Sequence, residues 1–221
     1  MKVAPTKESV LMMRVPPLET ERLIIRPFTV DDLDDVHQLL DVDLHDADFG
    51  SEGATTRDER QKWLQWTVMN YEELAKLYQP PYGDRAVTLK QTGQVIGACG
   101  YVPSFAPFGQ LPAFRSATAN DDTERLFTPE FGLFYAFSPA FQRQGYATEA
   151  AKALIDYAFG QLNLRRIVAT TSYDNAGSIG VMRKLNASIS NLRDIQPGTG
   201  LSPDAKRKKT RLFPQLLSGS I

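Results

Sequence analysis

The run EFGLFYAF (Glu130–Phe137) is almost continuously apolar. It is followed closely by FQRQGYATEA (Phe141–Ala150), a polar loop marked by Gly145 that opens straight into good helix formers. An apolar run of that length bounded by turn signals reads as a buried strand. Buried strand, polar loop and helix in immediate succession therefore constrain this part of the chain to a strand–loop–helix unit. The helix predicted after the loop carries Ala147, Ala151, Leu154, Ile155, Ala158, Phe159 and Leu162 on one face, the spacing of a core-facing helix.

The same grammar extends in both directions. RLIIRPF (Arg22–Phe28) alternates and is β-branched, so it predicts a strand. Thr29 is a fitting N-cap with Asp31 and Asp32 behind it, and Val30, Leu33, Val36 and Leu40 form a helical stripe. A second helix is predicted over Asp58–Tyr78, ended by Pro80 and Pro81. RAVTLK and QVIGACGYV flank Gln91, Thr92 and Gly93 and predict a hairpin. RRIVATTSY (Arg165–Tyr173) predicts a strand, and NAGSIGVMRKL (Asn175–Leu185) a short helix. Pro103–Pro129 is rich in prolines and aromatics without a period and reads as an insert, a lid or wall over a pocket, a homodimer contact or a disordered segment. Beyond Leu185 no alternation is legible, and the segment reads as a tail with a basic cluster over Lys206–Arg211. Residues 1–17 read as a loose arm.

With 25 basic and 26 acidic side chains in 221 residues, the formal net charge of -1 supplies no general attraction to nucleic acid or to an anionic membrane. No apolar run approaches a membrane span. A single cysteine, Cys99, excludes an intrachain disulfide framework, and a reducing, cytoplasmic location is the simpler expectation. Cys99 itself reads as a small core residue.

The loop before the helix has the ingredients of an anion cradle. The first turn of a helix leaves N–H groups unpaired, the dipole adds positive potential, Gly145 permits close backbone approach, and Arg143 offers a guanidinium. It is neither a dinucleotide fingerprint nor a P-loop, since the further glycines and the G-K-S/T element are missing. On these residues alone a plain connection remains an equal reading.

EFGLFYAFSPAFQRQGYATEAAKALIDYAF and RRIVATTSYDNAGSIGVMRKL, with LETERLIIRPFTVDDLDDV near the start, resemble the GCN5-related N-acetyltransferases (GNATs). In particular they resemble the RimJ/RimL-like branch, the ribosomal-protein N-terminal acetyltransferase type. The resemblance covers about Leu18 to Leu185 and sets an N-acetyltransferase domain over 18–186, with the insert 103–129 inside it and an atypical segment over 187–221. It implies an α/β (α+β) GNAT fold whose mixed sheet, flanked by helices, splays between its fourth and fifth strands to admit acetyl-CoA. Gln142, Gly145 and Ala147 match the family's Q/R-x-x-G-x-G/A loop. The implied cofactor-binding set is Phe137, Ser138, Gln142, Arg143, Gln144, Gly145, Tyr146, Ala147, Thr148 and Asn175, with a backbone N–H near Phe137 as oxyanion donor. No metal is implied.

Acetyl transfer from a thioester to an amine needs a neutral amine, a stabilised oxyanion and a proton for the thiolate. The resemblance assigns the base to Glu130 and the thiolate's proton to Ser178, with Tyr173 as second candidate acid. Helix capping is the structural alternative for Asn175 and Ser178. The expected partners are acetyl-CoA and a primary amine, from a protein N-terminus or a small molecule, joined in a ternary complex. A CoA-binding module without catalysis, or an interaction protein using the insert and the tail, is the rival class.

The acidic stretch with Asp41, Asp43, His45, Asp46 and Asp48 reads as a solvated loop, with attraction of a cationic amine or a cation site as alternatives. Trp63 and Trp66 read as packing residues. The glycine–aromatic pair usual after the last helix is replaced by Asn186 and Ala187. The two closing strands of the family then either form from poor sequence or are incomplete.

Overall fold

The computed structural model describes residues 14–47, 56–111, 114, 126–172, 174–187, 190–191 and 210–215. Its strands are β1 (Leu18–Glu19), β2 (Leu23–Pro27), β3 (Gly83–Leu89), β4 (Val95–Ala106), β5 (Thr128–Phe137), β6 (Ile167–Ser172), β7 (Ser190–Asn191) and β8 (Thr210–Gln215). The α-helices are α1 (Leu33–His37), α2 (Arg57–Lys76), α3 (Tyr146–Gly160) and α4 (Ala176–Lys184). The chain forms two compact units, Met1–Tyr101 with Phe134–Tyr157, and Val102–Leu133 with Ala158–Ile221. Strands β4 and β5 each contribute residues to both.

In the first unit β1, β2, β3 and β4 pair antiparallel in sequence order. The β3–β4 hairpin closes through Leu89 N–H on Gln94 C=O at 3.0 Å and Gly93 N–H on Leu89 C=O at 2.8 Å, and Gly93 takes the φ of 72° that its turn demands. Phe28, Val36, Leu39, Leu40, Leu64, Ala86, Ala98 and Ala136 make one buried cluster, with Trp63 packed at its edge. The stripe read from the sequence thus faces this core at Val36 and Leu40, whereas Val30, in the 3₁₀ turn before α1, is 56% exposed. Trp66 also departs from its expected packing role: it lies 61% exposed on α2, whereas Trp63 packs against the core. Cys99 is fully buried in β4, and burial pushes its thiol pKa up, as befits a core residue.

In the second unit β5 meets β6 in parallel at Gly132 and Val168, and β6 pairs antiparallel with β8 over six positions, from Ile167↔Gln215 to Ser172↔Thr210. Strand β7 lies against β8. The two closing strands therefore form, from sequence that carries no alternation. The fold is the expected mixed α/β sheet with helices. Its parallel meeting of β5 with β6 stands where the opening between the fourth and fifth strands was expected, one higher in number here because Leu18–Glu19 counts as a strand.

At its described ends, the segment read as an insert is regular strand or buried core. Pro103 to Ala106 continue β4, and Thr128 and Pro129 begin β5. Phe108 and Leu111 are buried with Ala106 and Val168, and Phe114 stacks on Phe108 at 5.1 Å. These apolar residues have a core to enter, so they build the interior of their own unit. Phe105 and Leu126 are the exposed exceptions.

Two residues past the end of α4, Asn186 has a φ of 57°, the left-handed position usually given to glycine. Ala187 N–H donates to Met182 C=O at 3.0 Å and Asn186 N–H to Arg183 C=O at 3.1 Å, the paired bonds of a Schellman end. Asparagine can take that conformation, which is why the missing glycine does not disturb the helix end.

Candidate functional site

The loop singled out in the sequence is built in the first unit from the end of β5 onward. Gly97 makes room for it. A Cβ there would come 2.6 Å from the Phe137 ring and 2.7 Å from Ala136 C=O. Ser138 is held inward: its N–H donates to Ile96 C=O at 3.0 Å and its hydroxyl to Asp43 Oδ2 at 2.6 Å. A 3₁₀ turn, Pro139–Phe141, follows. Gln142 Nε2 then donates back to Phe137 C=O at 2.9 Å and Gln144 Nε2 to Ala140 C=O at 3.0 Å. Gln142 braces the loop against the strand that precedes it and Gln144 braces the loop against its own 3₁₀ turn, so their side chains shape the site.

Arg143 and Gly145 both have positive φ, 59° and 87°. These left-handed residues turn the backbone sharply into α3. The first bond of α3 runs from Glu149 N–H to Gly145 C=O at 3.0 Å. The N–H groups of Tyr146, Ala147 and Thr148 therefore precede the helical ladder. The Arg143 side chain is exposed and has no partner among the described residues. N–H donors ahead of the ladder, a helix N-terminus and a disengaged guanidinium suit a diphosphate.

A clamp that the sequence reading missed holds this turn. Arg22 Nε donates to Glu149 Oε2 at 2.7 Å, its Nη2 lies 2.6 Å from the same oxygen, and its Nη1 donates to Gln144 C=O at 3.0 Å. Arg22 N–H and Thr20 Oγ1 both donate to Glu149 Oε1, at 2.9 and 2.5 Å. The guanidinium also sits 4.3 Å from the Tyr146 ring centroid. Burial pushes the Glu149 carboxyl pKa up, but the bonds from Thr20 and Arg22 outweigh that and hold it below the usual range. The charge balance matters because a carboxylate in the first turn of α3 would oppose an anion there, and Arg22 cancels it. The one available signal was that glutamate following Q-x-x-G-x-A; its partner lies 127 residues earlier.

In the second unit, Glu130 lies on β5. Arg166 Nε donates to its Oε1 at 2.7 Å and Arg166 Nη2 is 2.5 Å from the same oxygen. Both contacts fall on Oε1, and the Glu130 side chain is 9% exposed. It is thus not the solvent-exposed strand-end carboxylate that was its bland alternative. Arg166 also lies 4.5 Å from the Phe114 ring centroid, which fixes the guanidinium from its other side. Asn175 is the N-cap of α4, its Oδ1 accepting from Ser178 N–H at 2.9 Å. Asn175 and Ser178 are therefore brought together, and the capping role of Asn175 is realised. Tyr173 lies outside the described residues.

The acidic stretch is largely absorbed by structure. Asp41, in a π-helical turn over Gln38–Asp43, is buried and accepts from Arg60 Nη2 at 2.5 Å, Arg60 Nε at 2.8 Å and His37 Nδ1 at 2.8 Å. Burial pushes its carboxyl up, yet the Arg60 and His37 bonds bring the net shift below the usual range. Asp43 meets Gln38 and Ser138. Among its described residues, the expected solvated loop is thus a paired and partly buried turn, with Asp46 strongly exposed. Asp48 lies outside the described residues. Among the described residues no three His, Cys, Asp or Glu side chains are grouped to hold a metal, and no helix is long and apolar enough to cross a membrane.

A sequence profile of the acetyltransferase (GNAT) domain matches residues 22–188. The uncharacterized N-acetyltransferase YnaD of Bacillus subtilis (strain 168) is 27% identical over 172 residues, 76% of this chain and 80% of its own. Among solved structures, an acetyltransferase of the GNAT family from Bacillus anthracis superposes with a TM-score of 0.63 at 20% identity, covering 90% of this chain and 98% of its own. A RimL ribosomal L7/L12 α-N-protein acetyltransferase in complex with coenzyme A superposes with a TM-score of 0.59 at 14% identity, covering 89% and 95%.

Proposed function

Since the chain belongs to the GNAT acetyltransferase family, we propose that it is an N-acetyltransferase carrying acetyl from acetyl-CoA to a primary amine by direct attack in a ternary complex. The observation that carries this reading is the loop Gln142–Thr148. Its left-handed turn at Gly145, the N–H groups ahead of the α3 ladder and the disengaged Arg143 match the shape and charge of the CoA diphosphate. The acceptor we favour is a protein N-terminus or a small amine, in keeping with the RimL likeness in fold.

The chemistry follows from the residues. A neutral amine attacks the thioester carbonyl carbon, the C–N bond forms, and the C–S bond breaks. Glu130 takes the amine proton, directly or through one water, on the oxygen that Arg166 leaves uncommitted. Arg166, pinned between Glu130 and Phe114, keeps that carboxylate in one orientation. Ser178, at the start of α4, passes a proton to the leaving thiolate and regains one from water, as Glu130 returns the amine's proton to solvent; Tyr173 is the second candidate. A backbone N–H near Phe137 stabilises the oxyanion.

A second reading, a CoA-binding module without turnover, is favoured by one observation: Glu130 is nearly buried and already ion-paired. Glu130→Gln separates the two. On the enzyme reading it lowers the rate of CoA release by roughly 10²–10⁴-fold, the range for a positioned acid or base, and leaves acetyl-CoA affinity intact. A variant with near-normal rates across pH removes Glu130 from the base role. A wild type that binds acetyl-CoA yet acetylates no amine or N-terminal peptide in a broad panel supports the module.

A further inference from the structure

Arg85, on β3 in the first unit, is 4% exposed, and it meets no carboxylate among the described residues. An arginine has five N–H donors. Two are engaged, both on Nη2, which donates to Val15 C=O at 2.7 Å and Pro16 C=O at 3.0 Å. The buried Nε–H has no partner. Uncharged carbonyls satisfy donors but leave the charge uncompensated, an arrangement that is costly unless an anion joins it.

Beside Arg85 lies a cavity of about 340 Å³, the lower end of the range for small-molecule sites. Its apolar wall includes Pro27, Phe28, Val68, Leu74 and Pro81. Its polar lining is Arg14, Tyr71, Glu72, Tyr82 and Arg85, two cations against one carboxylate. The Tyr71 hydroxyl is committed, donating to Asp84 C=O and accepting from Phe28 N–H. Burial pushes the Arg85 pKa down from its ordinary value, the direction expected of a cation without a counter-ion. No residue of the loop Ser138–Thr148 lines this space.

We infer that this cavity is a binding site for a small monocarboxylate with an apolar body, its carboxylate seated on Arg85 and its hydrocarbon on the wall of Phe28, Val68 and Leu74. One buried guanidinium with donors to spare matches one negative charge. A phosphate dianion would need more cationic partners than the lining offers, and an uncharged ligand would leave Arg85 as it stands. The site depends on nothing in the acetyl-transfer reading.

The test uses 3-phenylpropionate and its uncharged analogue 3-phenylpropanamide, titrated into the full chain by calorimetry and by thermal shift. The acid should bind and raise the melting temperature, and the amide should bind at least tenfold more weakly, about 1.4 kcal/mol. Arg85→Met should lose acid binding; replacing a buried charge by a hydrophobe of similar size is often tolerated by the fold. Val68→Trp, which fills the cavity and leaves Arg85 in place, should lose it as well and carries the test should Arg85→Met fail to fold. Equal binding of acid and amide, acid binding that survives either folded variant, or no response to about 10 mM acid overturns the inference.

Discussion

Replacing Gly145 by glutamate tests the turn at the start of α3 most directly. The φ of 87° is cheap for glycine, whereas L-residues pay roughly 1–2 kcal/mol in the left-handed region. A Cβ at this position would lie 3.3 Å from Arg22 Nη2, close enough that the guanidinium must yield by a few tenths of an ångström. Strain alone therefore lowers stability by about 1–2 kcal/mol. Affinity is a separate matter. A carboxylate about 5 Å from a bound diphosphate is repelled by somewhat under 1 kcal/mol per charge pair in water and by about 3 kcal/mol at the effective dielectric of a protein surface. The site is half open and Arg22 offsets part of the charge, so the lower part of that range applies, about 1.4 kcal/mol or tenfold in Kd. Gly145→Asn is the control, since asparagine accepts positive φ and adds no charge. Calorimetry with acetyl-CoA should thus give at least tenfold weaker binding for Gly145→Glu and a much smaller loss for Gly145→Asn. Equal affinities for wild type and Gly145→Glu, with both folded by circular dichroism, would refute a diphosphate at this turn.

Asp84 has a buried, unbonded Oδ1, and burial pushes its pKa from 3.8 up to about 6. The folded state then holds a proton that the unfolded chain has released, so stability falls as pH rises between about 4 and 6 and stays low above. Asp84→Asn should gain melting temperature over wild type at pH 8 and lose that advantage near pH 4; parallel pH profiles would contradict the assignment. Gly97→Ala drives a methyl into Phe137 and Ala136 and should cost about 3 kcal/mol by urea unfolding. Asn175→Ala removes the α4 cap and should cost about 1 kcal/mol. If capping is its whole role, kcat/KM stays unchanged. Phe108→Ala should cost about 3–5 kcal/mol, as expected of a core ring. A lid role would instead leave unfolding unaltered and raise the acceptor KM.

Local chemistry made the loop legible. Gln142, Gly145 and Ala147 fall within six residues, and an apolar strand and a regular helix flank them, so the strand–loop–helix unit could be read without knowing the fold, while its reading as an anion cradle leaned on the family resemblance. The clamp could not be read, because Thr20 and Arg22 meet Glu149 only after the strands between them have paired. The inward pairing of Asp41 was hidden for the same reason: Arg60 lies 19 residues away on another helix. Pro103–Ala106 was misread as irregular because prolines and aromatics weaken any period. What places these residues in β4 is the neighbouring strand, and Phe108 and Leu111 owe their burial to the core that follows. Trp66 shows the reverse error, since an aromatic on a helix was assumed to face inward. Strand β8 contains Pro214 and begins inside the basic cluster Lys206–Arg211, and pairing with β6 rather than propensity makes it a strand.

That pairing has a consequence for how the protein is made. Strand β6 ends at Ser172, and its antiparallel partner begins at Thr210, close to the end of the chain. During synthesis β6 leaves the ribosome with one row of backbone donors and acceptors unmatched, and it stays so while about forty more residues are added. An open strand edge is a template for another nascent chain. Late residues whose composition looks expendable thus act as the protein's own cover for that edge. A nonsense codon shortly before Thr210 should yield chains that collect in inclusion bodies, even though the whole loop Ser138–Thr148 has already been translated.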